Sequence, residues 1–123
     1  MSRSRILLVD DEPDIVETVS FMLQSRNYQV SVASGGQEGI EKARDEHPDL
    51  LLLDIMMPDI DGYDVCMKLK GDADTKDIPI IMLTAKGESE AVLKSHSIGA
   101  DDYVVKPFSL PTLLSKLRKF LDK

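Results

Sequence analysis

Short apolar segments alternate with longer amphipathic segments along the whole chain. Five short, mainly apolar runs are bounded by turn residues, which predicts buried strands. The predicted strands are 6–9, 30–33, 50–53, 80–83 and 103–105. Between these runs, apolar residues recur at spacings of three and four, which predicts helices with one apolar face. The clearest stripes lie at 15–23 and 113–121.

The predicted helix ends carry residues that are typical of helix termini. Four of these residues are Pro13, Asp61, Gly99 and Ser109. Ser34, with Gln37 three residues later, resembles a capping box at the start of the second helix. A more polar helix is predicted at 88–98. Asp59, like Asp61, is expected to be a loop or cap residue and not a metal ligand.

Strands that are apolar on both faces indicate a parallel sheet that is covered by helices on both sides. With right-handed crossovers, the pattern predicts an α/β three-layer sandwich. We expect five helices around a five-stranded parallel sheet in the order 2-1-3-4-5. The functional crevice should lie beyond the carboxyl ends of strands 1 and 3. The 123 residues suffice for one domain, 1–123.

Composition narrows the classes of function. The chain has 15 Lys and Arg against 22 Asp and Glu, so its formal net charge is −7. This balance argues against a nucleic-acid-binding surface within these residues, because phosphate backbones require basic patches. No apolar run is long enough to span a membrane, and we expect no secretory signal. The single Cys66 excludes an intramolecular disulfide and fits a reducing cytoplasm.

Polar residues of distinct chemistry follow four of the predicted strands. They are Asp10 and Asp11 after strand 1, Asp54 after strand 3, Thr84 after strand 4 and Lys106 after strand 5. Parallel strands end at the same edge of a sheet, so these side chains should converge. Three clustered carboxylates repel one another and favour a bound cation, and hard oxygen ligands suit Mg²⁺. A carboxylate can attack phosphorus, while a hydroxyl and an ammonium bind phosphoryl oxygens.

Each of these residue types also occurs at strand ends as an ordinary turn residue. The prediction of a phosphoryl-accepting aspartate therefore depends on all four strand ends together. Four ordered motifs carry them: Leu-Val-Asp-Asp-Glu at 8–12, Asp-Ile-Met-Met-Pro-Asp-Ile-Asp-Gly at 54–62, Leu-Thr-Ala at 83–85 and Gly-Ala-Asp-Asp-Tyr-Val-Val-Lys-Pro-Phe at 99–108. In this combination the chain resembles the response-regulator receiver domain of two-component signalling, which has a flavodoxin-like fold. The resemblance extends over 6–121.

The resemblance implies a role for each residue of the site. Asp54 would accept a phosphoryl group from a sensor histidine kinase or a histidine phosphotransfer protein. Asp10, Asp11 and Asp54 would hold Mg²⁺, or Mn²⁺ as a substitute, together with the backbone carbonyl of Met56. Lys106 would pair with the phosphoryl group. Such a chain would catalyse its own phosphorylation and slow dephosphorylation, but it would not be an enzyme with a turnover substrate.

The resemblance also implies a switch. Thr84 would move toward the phosphoryl group, and Tyr103 would swing inward behind it. The face formed by the helix 88–98, the fifth strand and the last helix would then be read by a downstream effector or an attached output domain. The Lys106–Pro107 bond would be cis. Residues two after Asp54 and two after Thr84, here Met56 and Lys86, would tune the lifetime of the phosphoryl group, and the apolar Met56 predicts a longer one.

The stretch 99–108 and the last helix resemble receivers that are attached to winged-helix DNA-binding domains. This resemblance implies a phosphorylation-dependent homodimer through the same face, held by salt bridges. Four charged residues are available for these bridges: Asp101, Asp102, Lys116 and Arg118. However, Thr112 stands where receivers of that kind usually have an acidic residue, and Val92 where they usually have a basic one. One of the salt bridges is therefore missing in this chain.

Other functions were weighed against this one. A phosphatase with an aspartate nucleophile needs a second aspartate two residues later, where this chain has Met56. A flavin or nucleotide module needs a glycine-rich loop after strand 1, where Asp10 and Asp11 would repel a phosphate. A receiver-shaped interaction module that is never phosphorylated remains the alternative.

Overall fold

The computed structural model describes residues 3–84 and 98–121. Their five strands form one sheet in which every pair of neighbours is parallel, in the order β2-β1-β3-β4-β5. The predicted sheet and its order are therefore confirmed. The strands are β1 (Arg5–Val9), β2 (Gln29–Ala33), β3 (Leu50–Asp54), β4 (Ile80–Thr84) and β5 (Asp102–Val105).

The described residues contain four helices, where five were expected. These are α1 (Pro13–Gln24), α2 (Gly36–Glu46), α3 (Gly62–Lys70) and α4 (Leu110–Leu121). The fifth predicted helix, 88–98, lies outside the described residues except for its last position, as do Lys86 and Val92. None of the four described helices is long and apolar enough to cross a membrane.

The core consists of two apolar layers, one on each face of the sheet. Leu7 of β1 and Leu51 of β3 pack on one face with the buried side chains of α2 and α3. Leu8 and Leu52 pack on the opposite face with α1 and α4. Because successive strand residues point to opposite faces, a strand buried on both sides must be apolar throughout. This explains the uninterrupted leucines of β3 and confirms the three layers.

Most of the predicted helix starts are confirmed. Pro13 occupies the first turn of α1, and Asp61 caps α3 by accepting a hydrogen bond from the Tyr63 amide at 2.7 Å. The Ser109 hydroxyl accepts one from the Thr112 amide at 3.3 Å before α4.

The predicted capping box at Ser34 is wrong. Helix α2 begins two residues later, and its N-cap is Gly35, which has no side chain to offer. The Ser34 amide instead donates a hydrogen bond to the Glu38 carboxylate at 2.8 Å. The first amides of α2 are capped by Asp59, from the loop before α3.

Candidate phosphoryl-acceptor site

The carboxyl edge of the sheet gathers polar side chains that are almost completely buried. Asp10 directly follows β1, Asp54 ends β3 and Thr84 ends β4, with exposures of 0%, 5% and 1%. Lys106 directly follows β5, and its amide donates a hydrogen bond to the Thr84 carbonyl at 2.6 Å. The Lys106–Pro107 peptide bond is cis, as the resemblance implied. Buried polar groups at this density require partners, since unpaired ones are costly.

Lys106 is the partner of both buried carboxylates. Its Nζ lies 3.1 Å from Asp10 Oδ2 and 3.1 Å from Asp54 Oδ1, and 3.6 Å from Glu12 Oε1. One ammonium thus joins the ends of β1, β3 and β5. Of the residues predicted to converge, these distances bring Asp10, Asp54 and Lys106 together.

The pKa values at the site follow from the presence of several carboxylates around the one ammonium of Lys106. Burial raises the pKa of Asp54, and the charge of Asp10 raises it further, so that Lys106 offsets the shift only in part. Burial alone would lower the pKa of Lys106, but Asp54 and Asp10 outweigh it and the pKa is raised. The two directions agree because Asp54 faces both an ammonium and other carboxylates, whereas Lys106 faces only carboxylates among these residues. The site therefore has an excess of negative charge.

The three carboxylates that could share a cation are Asp10, Glu12 and Asp54. Each offers an oxygen, and these atoms lie within 4.8 Å of one another. Carboxylate oxygens of this kind are the ligands that Mg²⁺ prefers, so the donor set fits that ion. Sequence reasoning missed Glu12, although it directly follows the Asp10–Asp11 pair. Its amide donates a hydrogen bond to Asp10 Oδ1 at 2.9 Å, which ties Glu12 to the site.

Asp11 lies beside this cluster and not within it. Its side chain is exposed and lines an adjoining cleft with Met56 and Met57. Its charge still contributes to the raised pKa of Asp54. The Met56 side chain is 75% exposed. The loop that carries it is closed at its ends by a hydrogen bond of 2.7 Å from the Gly62 amide to the Ile55 carbonyl.

The predicted switch residues occupy neighbouring strands. Thr84 is buried at the end of β4, and Tyr103 is half-buried on β5 and packs against the α2–α3 layer of the core. Lys116 of α4 places its Nζ 5.3 Å from the centre of the Tyr103 ring. Lys86, the other residue expected to tune the lifetime, lies outside the described residues.

The charged residues that were predicted for a homodimer have partners within the chain. Asp102 accepts hydrogen bonds from Lys116 at 3.0 Å and from Lys119 at 3.1 Å. Burial alone would raise the pKa of Asp102, but these contacts hold it below its usual value. Asp101 pairs with Lys70 at 2.8 Å.

Comparison with known proteins agrees with this geometry. The family model described as "Response regulator receiver domain" matches residues 6–118. The DNA-binding dual master transcriptional regulator RpaA of Synechocystis sp. is 42% identical over 119 residues, which are 97% of this chain and 49% of RpaA. The chain spans about half the length of the curated relatives it matches.

Solved structures share the fold over almost the whole chain. A putative response regulator from Chloroflexus aurantiacus has a TM-score of 0.95 and 33% identity, covering 99% of this chain and 100% of that one. The receiver domain of a sensor histidine kinase from Pseudomonas aeruginosa, with a magnesium ion coordinated in its active-site cleft, has a TM-score of 0.91 and 28% identity, covering 99% and 100%. The chain belongs to the response regulator receiver domain family.

Proposed function

We propose that the chain is the phosphoryl-accepting switch of a two-component pathway, and that Asp54 is the acceptor. The observation that carries this proposal is the pairing of Asp54 and Asp10 with one ammonium, that of Lys106, at the carboxyl edge of the sheet. The donor would be a phosphohistidine of a sensor kinase or of a phosphotransfer protein.

The transfer needs an ionised Asp54. A carboxylate oxygen attacks phosphorus, a new oxygen–phosphorus bond forms, and the phosphorus–nitrogen bond of the donor breaks. The released imidazole nitrogen keeps the bonding electrons and takes up a proton. Lys106 favours the ionised acceptor against burial, and its ammonium is placed to bind the oxygens of the transferred group.

Divalent metal is part of the proposal because the donor set suits it. Asp10 and Asp54 would hold Mg²⁺, with Asp11, Glu12 and the Met56 carbonyl as candidates for the remaining protein ligands; Mn²⁺ would be a substitute. The bound ion would neutralise charge on the carboxylates and on the phosphoryl oxygens. The magnesium ion in the related Pseudomonas receiver supports this assignment.

The output would follow from movement of Thr84 and Tyr103. An aspartyl phosphate carries about −1.5 to −2 charges in place of the single charge of the carboxylate, and a two-state element needs only a few kcal/mol of differential interaction to change its population. The name of RpaA suggests an attached DNA-binding output in that relative; here the output is an attached domain or a separate effector in the cytoplasm. To use Asp102 in a salt bridge with a second copy, a homodimer would have to replace its contacts with Lys116 and Lys119 of the same chain.

The decisive experiment is phosphorylation by acetyl phosphate. The protein is incubated with acetyl phosphate and Mg²⁺, and its intact mass is compared with those of Asp54→Asn and of Asp72→Asn, a half-buried control outside the site. We expect one phosphoryl group on the wild type and on the control, and none on Asp54→Asn or after chelation of the metal. A folded wild type without an adduct would favour an interaction module that is never phosphorylated.

The same adduct also measures how long the phosphoryl group remains on Asp54. Met56 has no acceptor atom suited to orienting an attacking water, so the adduct should persist longer than that of Met56→Glu. Loss of the wild-type adduct within seconds would contradict this contribution of Met56.

A further inference from the structure

Helix α2 begins with a residue that cannot cap it. Its N-cap is Gly35, so no side chain there can accept hydrogen bonds from the exposed amides of the first turn. Asp59 supplies the acceptors from another part of the chain. Its Oδ1 accepts from the Gly36 amide at 2.9 Å, and its Oδ2 accepts from the Gln37 amide at 3.0 Å. Both carboxylate oxygens are therefore used on one helix terminus.

The glycines of this terminus allow the loop to lie directly against it. A Cβ atom at Gly35 would lie 3.1 Å from Asp59 Oδ1. A Cβ atom at Gly36 would lie 2.8 Å from Val65 Cγ2 and 2.9 Å from Ile60 Cβ. Separations of this size are shorter than ordinary van der Waals contact. The position of Asp59 against α2 is thus closely defined.

Asp59 lies in the loop that joins the acceptor Asp54 to helix α3. The ends of this loop are fixed by the hydrogen bond from Gly62 to Ile55 and by the cap that Asp61 forms on α3. Asp59 fastens the intervening part to a neighbouring helix. Met56 lies in that part, and its carbonyl is a proposed metal ligand.

We infer that Asp59 is a positioning residue for the metal and phosphoryl site: by capping α2, it fixes the path of the loop and hence the Met56 carbonyl. This inference rests on the proposed function, since it concerns the same site. Among the described residues, Asp59 bonds to the start of α2 and makes no salt bridge with Lys106. Groups that orient ligands from outside the coordination shell commonly change metal affinity by about 10- to 100-fold.

The test is a Mg²⁺ titration of ¹⁵N-labelled protein, followed by the amide shifts of the loop. Asp59→Ala removes the cap, and we expect about a tenfold weaker Mg²⁺ affinity. Asp72→Ala is the matched control, because Asp72 also accepts a backbone amide, that of Asp74 at 3.0 Å, and an arginine, but lies in a different loop. The affinity of this control should stay within about twofold of the wild type, since no cap on the metal loop is lost.

Two further variants separate position from charge. Asp59→Asn removes the charge but keeps an oxygen acceptor, so it should bind Mg²⁺ more tightly than Asp59→Ala. Asp59→Glu keeps the charge but moves the carboxylate by one methylene from its position against the Gly36 and Gln37 amides, so it should lose affinity. If Asn binds as weakly as Ala while Glu binds like the wild type, charge alone is responsible and the inference is overturned. The Asn and Glu variants also keep the test valid if Asp59→Ala fails to fold.

The failure of this inference differs from the failure of the proposed function. If the wild type shows no Mg²⁺-dependent shifts in the loop, the metal site itself is wrong. If the wild type binds and Asp59→Ala binds equally well, only the positioning role is wrong. The rate of phosphorylation by acetyl phosphate gives a second readout: the deficit of Asp59→Ala should disappear at saturating Mg²⁺. A deficit of the same size at every Mg²⁺ concentration would overturn the inference.

Discussion

Replacing Lys106 by methionine removes the ammonium and keeps a side chain of similar length. In the wild type, Nζ lies 3.1 Å from an oxygen of each of Asp10 and Asp54. Asp10 is 0% exposed and Asp54 is 5% exposed, so both carboxylates are largely shielded from water. The variant therefore leaves two buried carboxylates that face each other without their common partner.

The size of the effect follows from distance and burial. At 3.1 Å and an effective dielectric constant of about 20, each contact is worth about 5 kcal/mol before the cost of desolvation. Removing one partner of a buried pair costs about 3–5 kcal/mol. We expect Lys106→Met to lose about 3 kcal/mol of unfolding free energy at neutral pH, a large share of the roughly 5–15 kcal/mol of a typical domain.

The loss should depend on pH in a defined direction. Burial and then the charge of Asp10 already raise the pKa of Asp54, and removal of Lys106 takes away the group that opposes them. A carboxyl group whose pKa is higher in the folded than in the unfolded protein destabilises the fold as pH rises through that interval. The penalty is therefore complete at neutral pH and becomes smaller as acid protonates Asp54.

Urea unfolding, followed by far-ultraviolet circular dichroism at neutral and at mildly acidic pH, measures this loss. Lys119→Met is the matched control, because Lys119 Nζ lies 3.1 Å from Asp102 Oδ2 but its side chain is 58% exposed. Because Lys119 is exposed and Asp102 keeps Lys116 as a second partner, losing this contact should cost only about 0–1 kcal/mol. Equal losses in the two variants, or a loss for Lys106→Met that grows with acidity, would refute the reasoning.

Three further predictions concern other residues. Burial raises the pKa of Cys66 to about 11, so its thiol should resist iodoacetamide at neutral pH until urea is added; rapid alkylation of the native protein, seen by mass, would contradict this. Gly62→Ala should lower the unfolding free energy by about 1–3 kcal/mol in urea, because its Cβ would overlap the Asp54 carbonyl oxygen; an unchanged midpoint would exclude such a clash. Asp102→Asn should lower the unfolding free energy by about 1 kcal/mol at neutral pH, since lysine contacts outweigh burial and keep the pKa of Asp102 low. The stabilisation by Asp102 is present above its pKa in the unfolded protein and is lost as pH falls through its pKa in the folded protein. A cost of the substitution that persists in strong acid would argue against this cause.

The sheet was predictable because burial leaves a local trace in the sequence. Each central strand must present apolar residues to both helical layers, and the leucines of β3 do so without interruption. Parallel pairing then brings all strand ends to one edge, so the sequence predicts that the polar residues after four strands lie near one another. The distances show this for Asp10, Asp54 and Lys106.

The start of α2 was not predictable from its own residues. Ser34 and Gln37 have the spacing of a capping box, but the terminus is formed by a glycine and capped by Asp59. A cap that comes from a distant loop has no local pattern. It depends on the packing of α2 against α3, which arises only in the folded chain.

The sequence predicts Asp11 in the carboxylate cluster, whereas the structure has Glu12 there, and the backbone conformation explains this difference. Glu12 has an extended backbone, with φ −86 and ψ 113. In extended backbone, side chains two residues apart share a side, whereas the residue between them points away. Glu12 therefore returns to the side of Asp10, and Asp11 faces the adjoining cleft. The period of two that predicted the strand could have been continued past its end to find Glu12.

The charge balance at this edge also determines when the proposed transfer can occur. Among the described residues, three carboxylates meet one ammonium, and burial already disfavours the ionised form of Asp54. A phosphoryl group on Asp54 would carry about −1.5 to −2 charges in place of the single charge of the carboxylate, and Lys106 alone cannot balance this excess. A divalent cation should therefore be needed before transfer and not only after it, whichever donor supplies the phosphoryl group. Phosphorylation by acetyl phosphate and by a phosphohistidine donor should consequently show the same dependence on Mg²⁺ concentration, because that dependence belongs to the acceptor.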